Sequence, residues 1–190
     1  MVRVALVAAQ ALLLAGDEVR LDVRVGAGRS LEIVETSGTV AYDMRGGRAS
    51  WNVDVTIDAD GSLLWDGLPF VVASGSDVAR HTTTRLAAGA TCTLRETFVS
   101  GRTAEDGGCM VATTHAYLDC TPLLVEQLTL DPQSRRDPAL LGGARCLDQV
   151  TTLGHRLTDP GALQLEGVGS VYRRMGADAH TTRVALRDLL

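Results

Sequence analysis

The chain has 190 residues, of which 45% are hydrophobic and only 4% aromatic, so a core has to be built from Val, Leu and Ala. A formal charge of -5 removes the electrostatic case for nucleic acid, and the positive mean hydropathy argues against disorder. No apolar run reaches the ~18 residues of a membrane-spanning helix, so neither a nucleic-acid nor a membrane partner is expected.

All 18 basic residues are Arg, which fits a GC-rich genome or a chain rich in contact surface, where Arg is favoured over Lys. The opening segment MVRVALVAAQALLLAG admits two readings. Its basic start, apolar run and Ala-Gln-Ala look like a secretion signal, whereas Val2, Val4 and Leu6 alternate as in a strand. From Val19 to Thr36, in VRLDVRVGAGRSLEIVET, every second residue is apolar until a Gly-Ala-Gly turn, and then the alternation resumes. This predicts strand, tight turn, strand. Similar units begin at Val55 (VTIDADGSLLWDGL) and Thr84 (TRLAAGATCTLRETF), with turn glycines at Gly28, Gly61 and Gly89. The near-period predicts stacked strand-turn-strand units, each covering its neighbour's apolar edge, although a set of look-alike hairpins would read the same way.

Two further strands are expected in GGCMVATTHAYLDC and PLLVEQLTLDP, a loop or short helical turn in SRRDPALLGG, and strands again in CLDQVTTLG and LQLEGVGSVYRRMG. Only the end changes period. Over about 178–190, Ala185, Leu186, Leu189 and Leu190 share one helical face, and Asp178 is placed to cap it. The expected fold class is all-β, a β-helix-like or two-sheet stack with a short C-terminal helix. No linker divides the chain, so one domain over 1–190 is expected.

Chemistry-bearing motifs are missing: the sequence has no GxSxG, GxxxxGKS, GxGxxG or HExxH. His81, His115, His155 and His180 stand alone. Cys92, Cys109, Cys120 and Cys146 lack zinc-type spacing and fit a reducing compartment. Neither catalysis nor a stably bound cofactor is expected.

Several segments resemble, in order, the urease accessory protein UreD family, called UreH in some organisms. These are Gly16-Asp17 after the first strands, the Thr39 to Tyr42 strand, and LRETFVSGRTAEDGG with Glu96, Gly101-Arg102 and Glu105. PLLVEQLTLDP with its trailing Asp131 and the closing GSVYRRMGADAHTTRVALRDLL complete the set. The resemblance spans almost the whole chain. It implies an all-β assembly factor without catalytic activity that docks on apo-urease, binds UreF, and through UreF recruits UreG for nickel delivery. It also implies a cytoplasmic setting, a water-filled nickel route, and strand structure ahead of the segment with which this chain opens. A secreted or surface β-rich binding module is the alternative reading.

Glu35 and Glu96 are the charges out of place. Each lies seven residues after its turn glycine (Gly28 and Gly89), each precedes a Thr, and each is in phase with apolar neighbours: Leu31 and Ile33, or Cys92, Leu94 and Phe98. Both are expected to face the space between sheets, where a carboxylate needs an Arg, a proton, water or a cation. An internal salt bridge would satisfy that need. So would a hydrated passage in which the two offer oxygen ligands to a transient nickel ion. Glu35 stands where many family members have Thr or another small polar residue, so its role is not carried over from them.

Overall fold

The structure is a computed structural model describing residues 1–190. In chain order the strands are β1 (Val2–Leu6), β2 (Glu18–Val25), β3 (Ser30–Glu35), β4 (Thr39–Ala41), β5 (Ala49–Ile57), β6 (Ser62–Val72), β7 (Asp77–Leu86), β8 (Thr91–Ser100), β9 (Cys109–Leu118) and β10 (Thr121–Leu130). A short helix α1 (Pro132–Arg136), strands β11 (Cys146–Leu153), β12 (Leu163–Gln164) and β13 (Gly169–Gly176), and helix α2 (Ala179–Thr182) follow.

β2 and β3 flank the Gly-Ala-Gly turn, yet they do not pair with each other. The apolar sets of both strands face a common interior, so the turn is an arch that carries the chain from one sheet to the other. Repetition of this step makes two facing sheets in which the strands from β1 to β9 pair in parallel. One runs β10-β9-β7-β5-β2; the other runs β1-β3-β6-β8-β11-β13-β12, with β4 also on β6. The stacked units expected from the sequence are therefore present as coils of a β-solenoid rather than as hairpins.

The register shows what repeats. Ser30 lies beside Ser62 and Ser62 beside Thr91, offsets of 32 and 29 residues. The same offsets relate Gly28, Asp60 and Gly89, which all adopt the left-handed conformation (φ +63°, +57° and +71°). The repeating turn position is thus Asp60 in the middle coil, not Gly61. Gly89 also has no room for a side chain, since a Cβ would sit 2.1 Å from Asp60 Oδ1.

The last strands depart from the repeat. β9 and β10 form a true antiparallel hairpin through Asp119 and Cys120, both left-handed, as a two-residue hairpin turn requires. β11 then lies antiparallel on β8, and β13 on β11. Between the sheets sit Val55, Ile57, Leu63, Val72, Val78 and Met110, all buried. Each such side chain contributes about 1.5–3 kcal/mol.

The opening segment supplies β1, parallel to β3, and the buried Leu13, whose N–H donates to Val40 O at 2.8 Å. At the other end the continuous helix expected over 178–190 is two pieces. Asp178 does cap α2, accepting from Thr181 N at 2.9 Å, but the chain becomes extended at Arg183 and resumes a single 3-10 turn at Leu186–Asp188. The break lets Arg183 reach Gly67 O (2.8 Å), Thr97 Oγ1 (2.6 Å) and Asp66 Oδ1 (3.1 Å) on the outer face of the β6–β8 sheet. Leu186 and Leu189 are buried beside Val150 and Leu157, while Leu190 stays exposed. No helix is long and apolar enough to cross a membrane.

Candidate functional site

Strand alternation turns Cys92, Leu94, Glu96 and Phe98 of β8 toward the interior. Coil stacking then sets Glu35 of β3, Gly67 of β6 and Glu96 of β8 at one level. Gln149 of β11 pairs with Glu96, and Arg173 of β13 pairs with Gln149. A single row, Glu35–Gly67–Glu96–Gln149–Arg173, therefore crosses the inner face of this sheet from β3 to β13. From the opposing sheet Arg80 of β7 and Glu126 of β10 reach into it. Gly67 leaves no room for a side chain, since a Cβ would lie 2.5 Å from Arg95 O.

Every charge in the row has a partner. Glu35 accepts from Trp65 Nε1 at 3.1 Å and from Leu68 N at 2.8 Å. The second donor comes from the irregularity between Asp66 and Pro69, where β6 carries extra backbone relative to β8. Glu96 Oε1 accepts from Arg80 Nε (3.1 Å) and Nη2 (3.0 Å). The Arg80 guanidinium lies 5.5, 5.3 and 5.7 Å from the ring centroids of Trp51, Phe70 and Phe98, within cation–π reach of all three. Arg173 donates to Gln149 Oε1 at 2.7 Å and to Glu126, joining the two sheets. A cleft of about 30 Å³, room for one water, is lined by Glu35, Trp51, Trp65, Arg80 and Glu96. No group of three or more His, Cys, Asp or Glu is placed to hold a metal ion together. Glu35 and Glu96 thus sit as separate oxygen donors along a row rather than in a preassembled metal centre.

The sequence profile of the UreD urease accessory protein family matches residues 1–190. The chain belongs to the UreD family. The protein named urease accessory protein UreD 1 of Streptomyces griseus is 45% identical over 98% of this chain and 75% of its own length. UreD of Frankia alni is 33% identical over 93% of this chain and 69% of its own, and UreD of Streptomyces coelicolor 31% over 96% and 74%.

The residues on which the resemblance rests lie apart from the polar row, along the edge where the chain passes between sheets at the start of β2, β5, β7 and β9. Gly16 (φ +85°) donates to Arg48 O at 2.9 Å, and Asp17 accepts from Leu14 N at 2.8 Å. Tyr42 N donates to Leu13 O at 3.0 Å. Gly101 (φ +76°) donates to Val72 O at 2.8 Å, and a Cβ there would meet Glu105 O at 2.7 Å. Glu105 accepts from Arg102 Nε (2.8 Å), Arg102 N (3.0 Å) and Ser74 N (3.1 Å). These hydrogen bonds, the Arg102 side chain first, pull its pKa down to about 2. Glu105 thereby stitches one turn to the turn of the coil before. Asp131 caps α1 through Gln133 N (2.8 Å) and Ser134 N (2.7 Å). In this chain, then, the resemblance rests on residues that shape turns.

Sequence reasoning located Glu35 and Glu96 but missed Arg80, Trp51, Gln149, Arg173 and Glu126. Arg80 carries a readable signal, since it is in phase with Val78, Thr82 and Thr84, which are buried. Arg173 and Glu126 carry none, because their strands meet only through the fold.

Proposed function

We propose that the protein is a scaffold of urease maturation without catalytic activity, working in the cytoplasm and holding no cofactor stably. It docks on apo-urease and binds UreF, through which UreG is recruited. Nickel is the cargo, and Glu35 and Glu96 lie on its route as transient oxygen ligands. Membership of a urease accessory family supports the first part. The observation that carries the second is the row of charged and amide side chains that crosses the space between the sheets, open to a cleft at Glu35 and Glu96. Isolated carboxylates hold Ni²⁺ more weakly than thiolate or imidazole sets would, which suits transfer better than storage.

The test is urease activation with the Glu35→Ala/Glu96→Ala double variant, after folding and co-purification with UreF and apo-urease have been verified. The expected result is assembly at wild-type levels with reduced nickel in the matured urease. Full nickel occupancy would remove the two carboxylates from the route, and loss of the wild-type chain from the UreF–urease assembly would remove the scaffold reading.

A further inference from the structure

Along the row, the carboxylate of Glu96 already faces a cation that the chain supplies itself. Arg80 and Glu96 have side chains only 13% and 12% exposed. The three ring faces and the Glu96 carboxylate together hold the Arg80 guanidinium, the rings by their negative faces and Glu96 by its counter-charge. The seat is lopsided, however. Both Arg80 donors go to Oε1, whereas in the neighbouring Arg95–Asp148 pair Nε and Nη2 take one oxygen each, at 3.0 and 2.7 Å. A guanidinium on one oxygen lacks the geometric hold of a fork-on-fork pair.

We propose that Arg80 is a tethered plug. Its guanidinium occupies the place beside Glu96 that a divalent cation moving along the row would take, and Glu96 becomes a ligand only when Arg80 swings aside. This rests on the nickel-route reading above. Like charges in a partly buried space repel strongly, so the guanidinium and a dication do not share Glu96. The seated plug also keeps the carboxylate from standing uncompensated while no ion is present.

Both tryptophans of the chain, Trp51 and Trp65, line this cleft, so their fluorescence reports a paramagnetic ion arriving there. The purified full chain is titrated with nickel chloride. The wild type is expected to show no saturable quenching up to about 1 mM, and Arg80→Met to quench with a midpoint at least roughly tenfold lower. Arg80→Met/Glu96→Gln should return to the wild-type curve, which separates Glu96 from the surface histidines common to all variants. Should Arg80→Met lose its circular-dichroism spectrum, Arg80→Gln, whose amide can still donate to Glu96, takes its place with the same expectation. Equal curves for the wild type and the folded variant, or quenching that survives Glu96→Gln, would overturn the plug. Failure of both variants to fold would overturn it as well, because Arg80 would then be an indispensable core member. A failure of the route itself reads differently: the Glu35/Glu96 variants would mature urease normally, whatever the titration shows.

Discussion

Arg95 and Glu96 are neighbours on β8 and point to opposite faces of one sheet, and each buries a charge in a different way. On the outer face Arg95 and Asp148 are 3% and 0% exposed. Arg95 grips both Asp148 oxygens, Thr97 Oγ1 donates to the same carboxylate at 2.6 Å, and Arg183 of the C-terminal segment donates to Thr97. On the inner face Glu96 has one oxygen bonded to Arg80 and borders a cleft. A saturated network has nothing left to offer a ligand and ties segments together. An unsaturated one can change partners.

The largest effect should come from breaking the outer network. Asp148→Ala leaves the buried Arg95 only its longer ion pair with Asp66, at 3.7 Å, and is expected to cost about 3–5 kcal/mol by chemical denaturation. Arg183→Ala follows, at about 1–3 kcal/mol, because it removes charge-assisted bonds that hold the C-terminal segment; limited proteolysis should then cut within 177–190 first. Glu96→Gln is expected to cost about 1–2 kcal/mol, since the amide oxygen still accepts from Arg80. A loss for Glu96→Gln as large as that for Asp148→Ala would erase the contrast between the two faces.

The smallest effects are those of pH, and they belong to groups outside both networks. Burial pulls the half-buried His155 imidazole below its usual 6.5, so the unfolded chain takes up the proton first. Stability is expected to be complete above pH 6.5 and to fall as the pH drops below it, and His155→Gln should flatten that slope. Glu105, at about 2 when folded against 4.5 for a free glutamate, contributes stability present above pH 4.5 and lost as the pH falls toward 2. Acid titration of Glu105→Gln, followed by amide exchange at Arg102 and Ser74, should show that second window vanish.

Much of this was legible before any coordinates. The alternation of Leu31, Ile33 and Glu35, repeated in Cys92, Leu94 and Glu96, gives both strands and the inward aim of both carboxylates, because a strand's side-chain period is two whatever it packs against. Asp178 as a cap was readable for a similarly local reason: its side chain needs only the next few backbone N–H groups. The position seven residues after Gly28 and Gly89 held because those glycines are true equivalents. Gly61 misled, since Asp can also adopt the left-handed conformation and Asp60 stands in its place.

What the amino-acid order determined by itself was local: strands, turns, which side of each strand is apolar, and the family to which these patterns are similar. Tertiary structure alone decided that the turns are arches rather than hairpins, since both leave the same alternation. It also broke the terminal helix at Arg183, where ion-pair and hydrogen-bond partners on β6 and β8 outweigh a weak local helical preference. Above all it chose the partners of the inward charges. Glu96 meets Arg80, sixteen residues away in the facing sheet, and Arg173 meets Glu126, forty-seven away. Pairings across two sheets are set by coil register and sheet spacing, quantities that exist only once the chain has folded.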